Sequence, residues 1–311
     1  MTRLLFFVLS VASMWGCSYD RGIGQFPSVA DVGSDMTAFD SSAADGTTPN
    51  EFESLSGTWM LLSEDRICIL GGVGDPVDNV IWSTFLVQVN DMAQDSILTQ
   101  TMRMCGQDLS PLPFGFMTIV PERLSNSFQE HTVAGFLANR RVGGAYLTEP
   151  FVDLWGLSGI DDIEPLPSAP DDERIVDQDE DGRPGVTLTV TSAVGTPICE
   201  VEVVQRAVIQ LRGETISSRR IEGAFESIPS KIVLGASSDL CNSGGIGPNA
   251  GPKRFHLVRV DGRQGSPDLD EDGDGRIDCG EIRRGRQRVQ GYYRIERDTP
   301  DLMNCLVPSG D

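Results

Sequence analysis

From residue 56 onward the chain is a succession of short runs rich in β-branched and aromatic residues, bounded by Gly, Pro, Asn or Asp. Runs of that kind fold as strands. They are SGTWMLL (56–62), VIWSTFLVQV (80–89), SILTQTMRM (96–104), FMTIV (116–120), GVTLTVTSAV (185–194), ICEVEVVQRAVIQLRG (198–213), KIVLGAS (231–237), RFHLVRV (254–260) and RVQGYYRIERD (288–298). Apolar and polar residues alternate in VTLTVTS and FHLVRV, so those strands bury one face and wet the other. Helical period is scarce; the best case is PERLSNSFQEHTVAGFL over 121–137, where Leu124, Phe128 and His131 or Thr132 share a face. Parallel sheets need crossover helices, which this pattern does not supply. The expected class is therefore all-β, an antiparallel β-barrel or sandwich with long loops and few short helices. It should occupy residues 51–311, with a possible subdivision near the acidic segment 161–181.

The residues ahead of that domain have a different character. MTRLLFFVLSVASMWG places one basic residue, Arg3, before an apolar run from Leu4 to Trp15, the layout of a secretory signal peptide over 1–16. The run is too short to cross a bilayer as a stable helix. Cys17 follows the small Gly16, and this resembles the cleavage site of bacterial lipoproteins, although Met14 and Trp15 depart from the leucine and small residue usual there. The resemblance implies lipidation of Cys17 and, with Ser18 behind it, an outer-membrane location; plain secretion is the alternative. Such an anchor holds a protein on a membrane surface without spanning it. Residues 17–50, rich in Ser, Asp, Ala, Gly and Thr, cannot bury enough apolar surface to order themselves. They are expected to form a disordered tether with a span of roughly 30 Å. The other six cysteines, Cys68, Cys105, Cys199, Cys241, Cys279 and Cys305, read in an exported chain as three disulfides. Neighbour pairing predicts Cys68 with Cys105 and Cys279 with Cys305.

The densest charge in the chain is SPDLDEDGDGRIDCGEIRRG, with seven carboxylates between Asp268 and Glu281. Carboxylates so close destabilise one another unless a cation or protonation intervenes. Within it, Asp270–Glu281 places aspartates first, third, fifth and ninth, glycine sixth, isoleucine eighth and glutamate twelfth. This resembles the calcium loop of the EF-hand family at every defining position. The resemblance implies side-chain ligands from Asp270, Asp272 and Asp274, a backbone carbonyl from Arg276, a direct or water-mediated contact from Asp278 and both oxygens of Glu281. Gly275 meets the demand for positive φ, and Ile277 would anchor the loop in the core. The segment RVDGRQGSPDL supplies no entering helix, and the exit is expected to make one helical turn before Gly285 and then a strand. Cys279, at the tenth place, would fix the backbone if disulfide-bonded. A second loop, DQDEDGRPG (177–185), repeats the opening with Asp177, Asp179, Asp181 and Gly182, and Arg183 would lend its carbonyl. Pro184 then replaces the aliphatic, and Leu188 stands where the glutamate belongs. Asp161, Asp162, Glu164, Asp171, Asp172 and Glu173 lie upstream as further candidates.

The expected ligand is Ca2+. With 46 acidic residues against 25 basic and a formal net charge of −21, nucleic-acid binding through phosphates is opposed. The only histidines are His131 and His256, and no H-E-x-x-H, G-x-S-x-G, S-x-x-K or phosphate-binding glycine loop occurs. An enzyme is not expected, and no catalytic residue is assigned. Gly57-Thr58-Trp59 with Arg294 or Arg297 resembles the Gly-x-Trp and closing arginine of lipocalin-type barrels. There the arginine packs over the tryptophan and closes one end of a barrel around a small apolar ligand. The leading expectation is thus a non-enzymatic, calcium-binding exported lipoprotein. A lipocalin-like carrier is the alternative, and a hydrolase with an unassigned carboxylate pair a third.

Overall fold

The computed structural model describes residues 52, 54–70, 77–92, 96–112, 115–161, 164–239, 241, 245–247, 251–297 and 305. The segments expected as signal peptide (1–16) and tether (17–50), Cys17 included, lie outside the described residues.

Twelve strands form one antiparallel sheet. They are β1 (Gly57–Leu70), β2 (Val77–Asp91), β3 (Ile97–Leu109), β4 (Met117–Ile119), β5 (Glu130–Leu137) and β6 (Ala145–Thr148), followed by β7 (Phe151–Trp155), β8 (Val186–Thr191), β9 (Pro197–Ser217), β10 (Arg220–Ala236), β11 (Gly245–Gly247) and β12 (Arg254–Arg259). Pairing runs β10-β12-β1-β2-β3-β5-β6-β9, and β9 pairs back onto β10. The ring is closed, so of the two expected architectures the protein is a barrel. β7 and β8 extend the β9 ladder, β4 adds to β8, and β11 adds to β1.

The strands follow from period two. Trp59 and Leu61 point into the barrel with Phe85, Val87, Met102, Tyr146, Leu211 and Phe255, while Met60 and Leu62 point out into a second apolar cluster. The segment 121–137 obeys the same rule and corrects the helical expectation. Only α1 (Leu124–Ser127) is helical; from Glu130 on, buried Val133 and Leu137 alternate with Thr132, Ala134 and Phe136, and the segment pairs with β3 and β6. Its β-branched residues and Gly135 suit that ladder better than a helix.

The opposite error occurs at the C-terminus, where 288–298 was expected as a strand. Cys279–Tyr293 is instead a fifteen-residue helix, α2. Asp278 caps it: its Oδ1 accepts the Glu281 N–H at 2.8 Å, and Glu281 Oε2 accepts the Asp278 N–H at 3.0 Å. That reciprocal pair is a capping box, which starts a helix firmly. Gly285 does not end α2, because it is where Leu269 packs onto it; a Cβ there would lie 2.5 Å from Leu269 Cδ2. Ile282, Val289 and Tyr293 then bury one face against Met60, Val258 and Val260 on the outside of the barrel.

The disulfides join Cys68 to Cys305, Cys105 to Cys279 and Cys199 to Cys241. The neighbour pairings are therefore incorrect. Cys105 points outward from β3 to the first turn of α2, an arrangement unreadable while that segment passed for a strand.

One barrel end is closed by side chains. Trp59 donates from Nε1 to the Leu55 carbonyl at 2.9 Å, and the Arg259 guanidinium lies 5.0 Å from its ring centroid. Arg259, from β12, takes the place expected for Arg294 or Arg297. Once the C-terminal segment is helical those two lie outside the barrel, Arg294 as the C-cap of α2 and Arg297 over Trp82 at 4.6 Å. Toward the other end the interior keeps a cavity of about 50 Å³, where Ser63, Ser83, Gln107, Asp153, Gln205 and Ser227 face Phe85, Phe151 and Phe225. Buried Asp153 accepts from Trp155 Nε1 at 3.0 Å, with His131 Nε2 at 4.0 Å. Burial pushes its carboxyl from 3.8 up to about 7, against the smaller opposing effect of the Trp155 hydrogen bond. Burial also lowers the pKa of His131.

The sign of the consequence is fixed. Between about pH 4 and 7 the folded chain keeps a proton that the unfolded chain has released, so Asp153 costs stability as pH rises through that window. Asp153→Asn should remove about 2–4 kcal/mol of this loss, read as the difference between wild-type and variant denaturant midpoints at pH 4.5 and 8.

Candidate metal centres

Two groups of carboxylates have ligand atoms within 4.8 Å of one another, Asp270/Asp272/Asp274 and Asp177/Asp179/Asp181. The clustering is produced by backbone that the sequence dictates. In the first loop Asp270 takes the Gly273 N–H on Oδ1 at 2.8 Å and the Gly275 N–H on Oδ2 at 2.9 Å. Asp274 takes the Arg276 N–H at 2.7 Å. In the second loop Asp177 takes the Asp181 N–H at 3.1 Å and the Gly182 N–H at 2.8 Å, and Asp181 takes the Arg183 N–H at 2.9 Å. The first-to-sixth and fifth-to-seventh bonds are therefore common to both loops. Short aspartates bond readily to backbone a few residues ahead, and the sixth position turns at positive φ, 82° at Gly275 and 86° at Gly182.

The loops differ beyond the sixth position. In the first, Ile277 is buried in the cluster under α2, and Asp278 and Glu281 are the capping box. Glu281 is buried and reaches across the loop, its Oε1 accepting the Glu271 N–H at 2.7 Å. Asp278 and Glu281 are not in the three-aspartate cluster. Arg276 lies at the seventh place with its N–H on Asp274, and Arg284 pairs with Glu271 at 3.0 Å. The incoming limb is a β-turn-like segment: Leu269 N–H donates to the Val260 carbonyl at 3.0 Å, and Asp261 bridges Asp268. No α-helix enters the loop, only a 3-10 turn at Arg263–Gly265, whereas the exit is a full helix rather than one turn.

In the second loop Asp179 is 2% exposed and accepts the Thr187 N–H on Oδ2 at 2.9 Å, tying the loop to β8. Burial pushes its carboxyl up, and the neighbouring Asp181 and Asp177 charges add to this. Its buried Oδ1 has no hydrogen-bond partner among the described residues. Arg183 is drawn away to Glu200 at 2.6 Å and Glu202 at 3.8 Å. Of the upstream candidates, Asp172 holds Arg174 at 2.8 Å, Glu164 faces the same arginine at 3.8 Å, and the Asp161 carbonyl accepts from Arg206; Asp162 lies outside the described residues. Leu188 is buried in the barrel.

No protein-family model matches this sequence, and neither curated proteins nor solved structures give a match. The site is therefore read from its own chemistry. Sequence reasoning missed Asp153 as an interior acid, although the alternation in FVDLW places it on the face of Phe151 and Trp155.

Gly275 and Gly291 test the turn requirement as a pair. Neither has an atom within 4 Å of an added Cβ, but only Gly275 has positive φ. Gly275→Ala should cost about 1–2 kcal/mol through backbone strain alone. Gly291→Ala, inside α2, should stabilise by about 0.5–1 kcal/mol. Denaturant unfolding of the two variants checks the opposite signs.

Proposed function

We propose that this is an exported calcium-binding lipoprotein without catalytic activity, in which calcium clamps loops of the barrel. The observation that carries the reading is the backbone bonding shared by the two loops, which presents three alternate aspartates to a common point in each. Hard oxygens converging from one tight turn suit calcium, which takes six to eight of them. Asp270, Asp272, Asp274, the Arg276 carbonyl, Asp278 and Glu281 would form one shell, and Asp177, Asp179, Asp181 and the Arg183 carbonyl part of another. Loops of this kind in extracellular proteins bind at roughly 0.1–1 mM. A hundredfold excess over Kd then adds about 2.7 kcal/mol to stability, enough for a structural role.

Three disulfides point to an extracellular or periplasmic compartment. Attachment to the outer membrane through lipidated Cys17 is the part of the proposal carried by sequence alone. The lipocalin-like carrier is the weaker reading. The interior beside Trp59 is filled by side chains, and the cavity toward the other end, about 50 Å³, is well below the ~150 Å³ that holds a benzene-sized ligand.

The reading predicts a thermal midpoint that falls when chelator is added and recovers with calcium better than with magnesium. Glu281→Gln should lose most of the calcium-specific recovery. Equal melting of wild type and variant with and without calcium would remove the assignment.

A further inference from the structure

We propose that the loop at 177–185 takes a divalent cation in a shell completed by water, and so accepts magnesium nearly as well as calcium, unlike the loop at 270–281. The inference rests on the calcium reading and divides it between two chemically different sites.

The pointer to a ligand is Asp179. A carboxylate oxygen that is buried and unpartnered is costly, and Oδ1 of Asp179 is both. The side chain belongs to the cluster with Asp177 and Asp181, while its other oxygen is held by Thr187. A cation at that cluster would give Oδ1 its missing partner. The nearby arginines are committed elsewhere: Arg183 to Glu200 and Glu202, Arg174 to Asp172, and Arg123 to the Glu180 carbonyl at 3.2 Å.

The shell this loop offers is small. Three carboxylates and the Arg183 carbonyl give four protein oxygens. No fifth comes from the twelfth position, because Leu188 lies in the barrel core. Glu200 and Glu202 are held by Arg183. Water must fill the remainder. Magnesium demands a compact six-oxygen shell and keeps several waters, whereas calcium gains from extra and bidentate oxygens. On the calcium reading Glu281 would supply the extra pair in the other loop, whereas the corresponding position here is the buried Leu188.

The test is calorimetric titration of the metal-stripped, full-length mature protein with magnesium chloride and, separately, calcium chloride. Wild type should bind one magnesium ion. Asp179→Asn, which keeps an acceptor for Thr187, and the exposed Asp181→Asn should each weaken magnesium binding about tenfold or more. Both should leave intact the calcium binding that Glu281→Gln removes. The calcium-to-magnesium preference should be under ~10-fold at 177–185 and above ~100-fold at 270–281. Magnesium binding that is absent, or unmoved by both aspartate variants, overturns this proposal, and the calcium reading survives if Glu281-dependent calcium binding remains. Binding of neither ion overturns both.

Discussion

The barrel depends on the length of the β9–β10 ladder. Along one edge β9 holds β8, β7 and β6 in turn, and along the other it holds β10 over nearly its whole length. β10 then passes to β12 through Arg220–Ala224, and the ring closes. Closure removes the unpaired edges of eight strands, leaving short ones at β4, β7 and β11. The crossing is tight where the ladder bends. A Cβ on Gly213 would sit 2.1 Å from the Glu222 carbonyl oxygen, and one on Gly223 would sit 2.1 Å from that of Arg212. Glycine is required at both places by the close approach of the two backbones.

Closure also explains where the acidic loops are placed. The segment after β7 returns across the outer face of β9 and β10, where Leu157, Ile160 and Ile175 pack with Val204, Ile232 and Leu234. The loop at 177–185 ends this passage and feeds directly into β8. After β12 the chain does the same on the opposite wall, where Leu269 and Ile277 pack under α2 against Met60, Val258 and Val260. Each loop is thus the polar hinge of a segment whose apolar side is fixed to the barrel. Carboxylates that would repel one another in a free chain are held together by burial nearby.

Strands were legible wherever packing on two faces imposes a period of two, as in VTLTVTS and FHLVRV. The failures came where local signals conflict with partners distant in sequence. For 121–137, the helical spacing is carried by Leu124, Phe128 and His131 or Thr132, whereas the buried face of the strand is Val133, Gly135 and Leu137, and pairing with β3 and β6 decides between them. For 279–293, Gly285 suggests an end after one turn, whereas the capping box between Asp278 and Glu281 starts a helix that runs to Tyr293. In the sequence the same two residues fit a metal shell, and that fit masks their part in starting α2. The disulfide error has the same root, since Cys105 finds Cys279 only if that residue begins a helix lying over β3. The clustering of the aspartates was legible because most of its geometry is local: Asp177 and Asp270 bond within five residues of themselves. Asp179's tie to Thr187 lies eight residues on and was not foreseen.

A loop of this chemistry acts as a sensor when binding reorients two helices about it. Here the first loop has one helix, and that helix cannot move independently. Its first residue is bonded through Cys279 to Cys105 on β3, its midpoint is pressed by Leu269, and its last turn is held by Tyr293 donating to the Arg259 carbonyl at 2.8 Å. The incoming limb leaves β12, which is itself a barrel strand. Both limbs belong to one packed body, so a cation at this point has no second arrangement to favour. A ligand shifts a conformational equilibrium only by its differential affinity for two states. The state that competes with the folded loop is its undocked or unfolded form, and the energy of a bound cation would therefore appear as resistance to unfolding of α2 from the barrel wall.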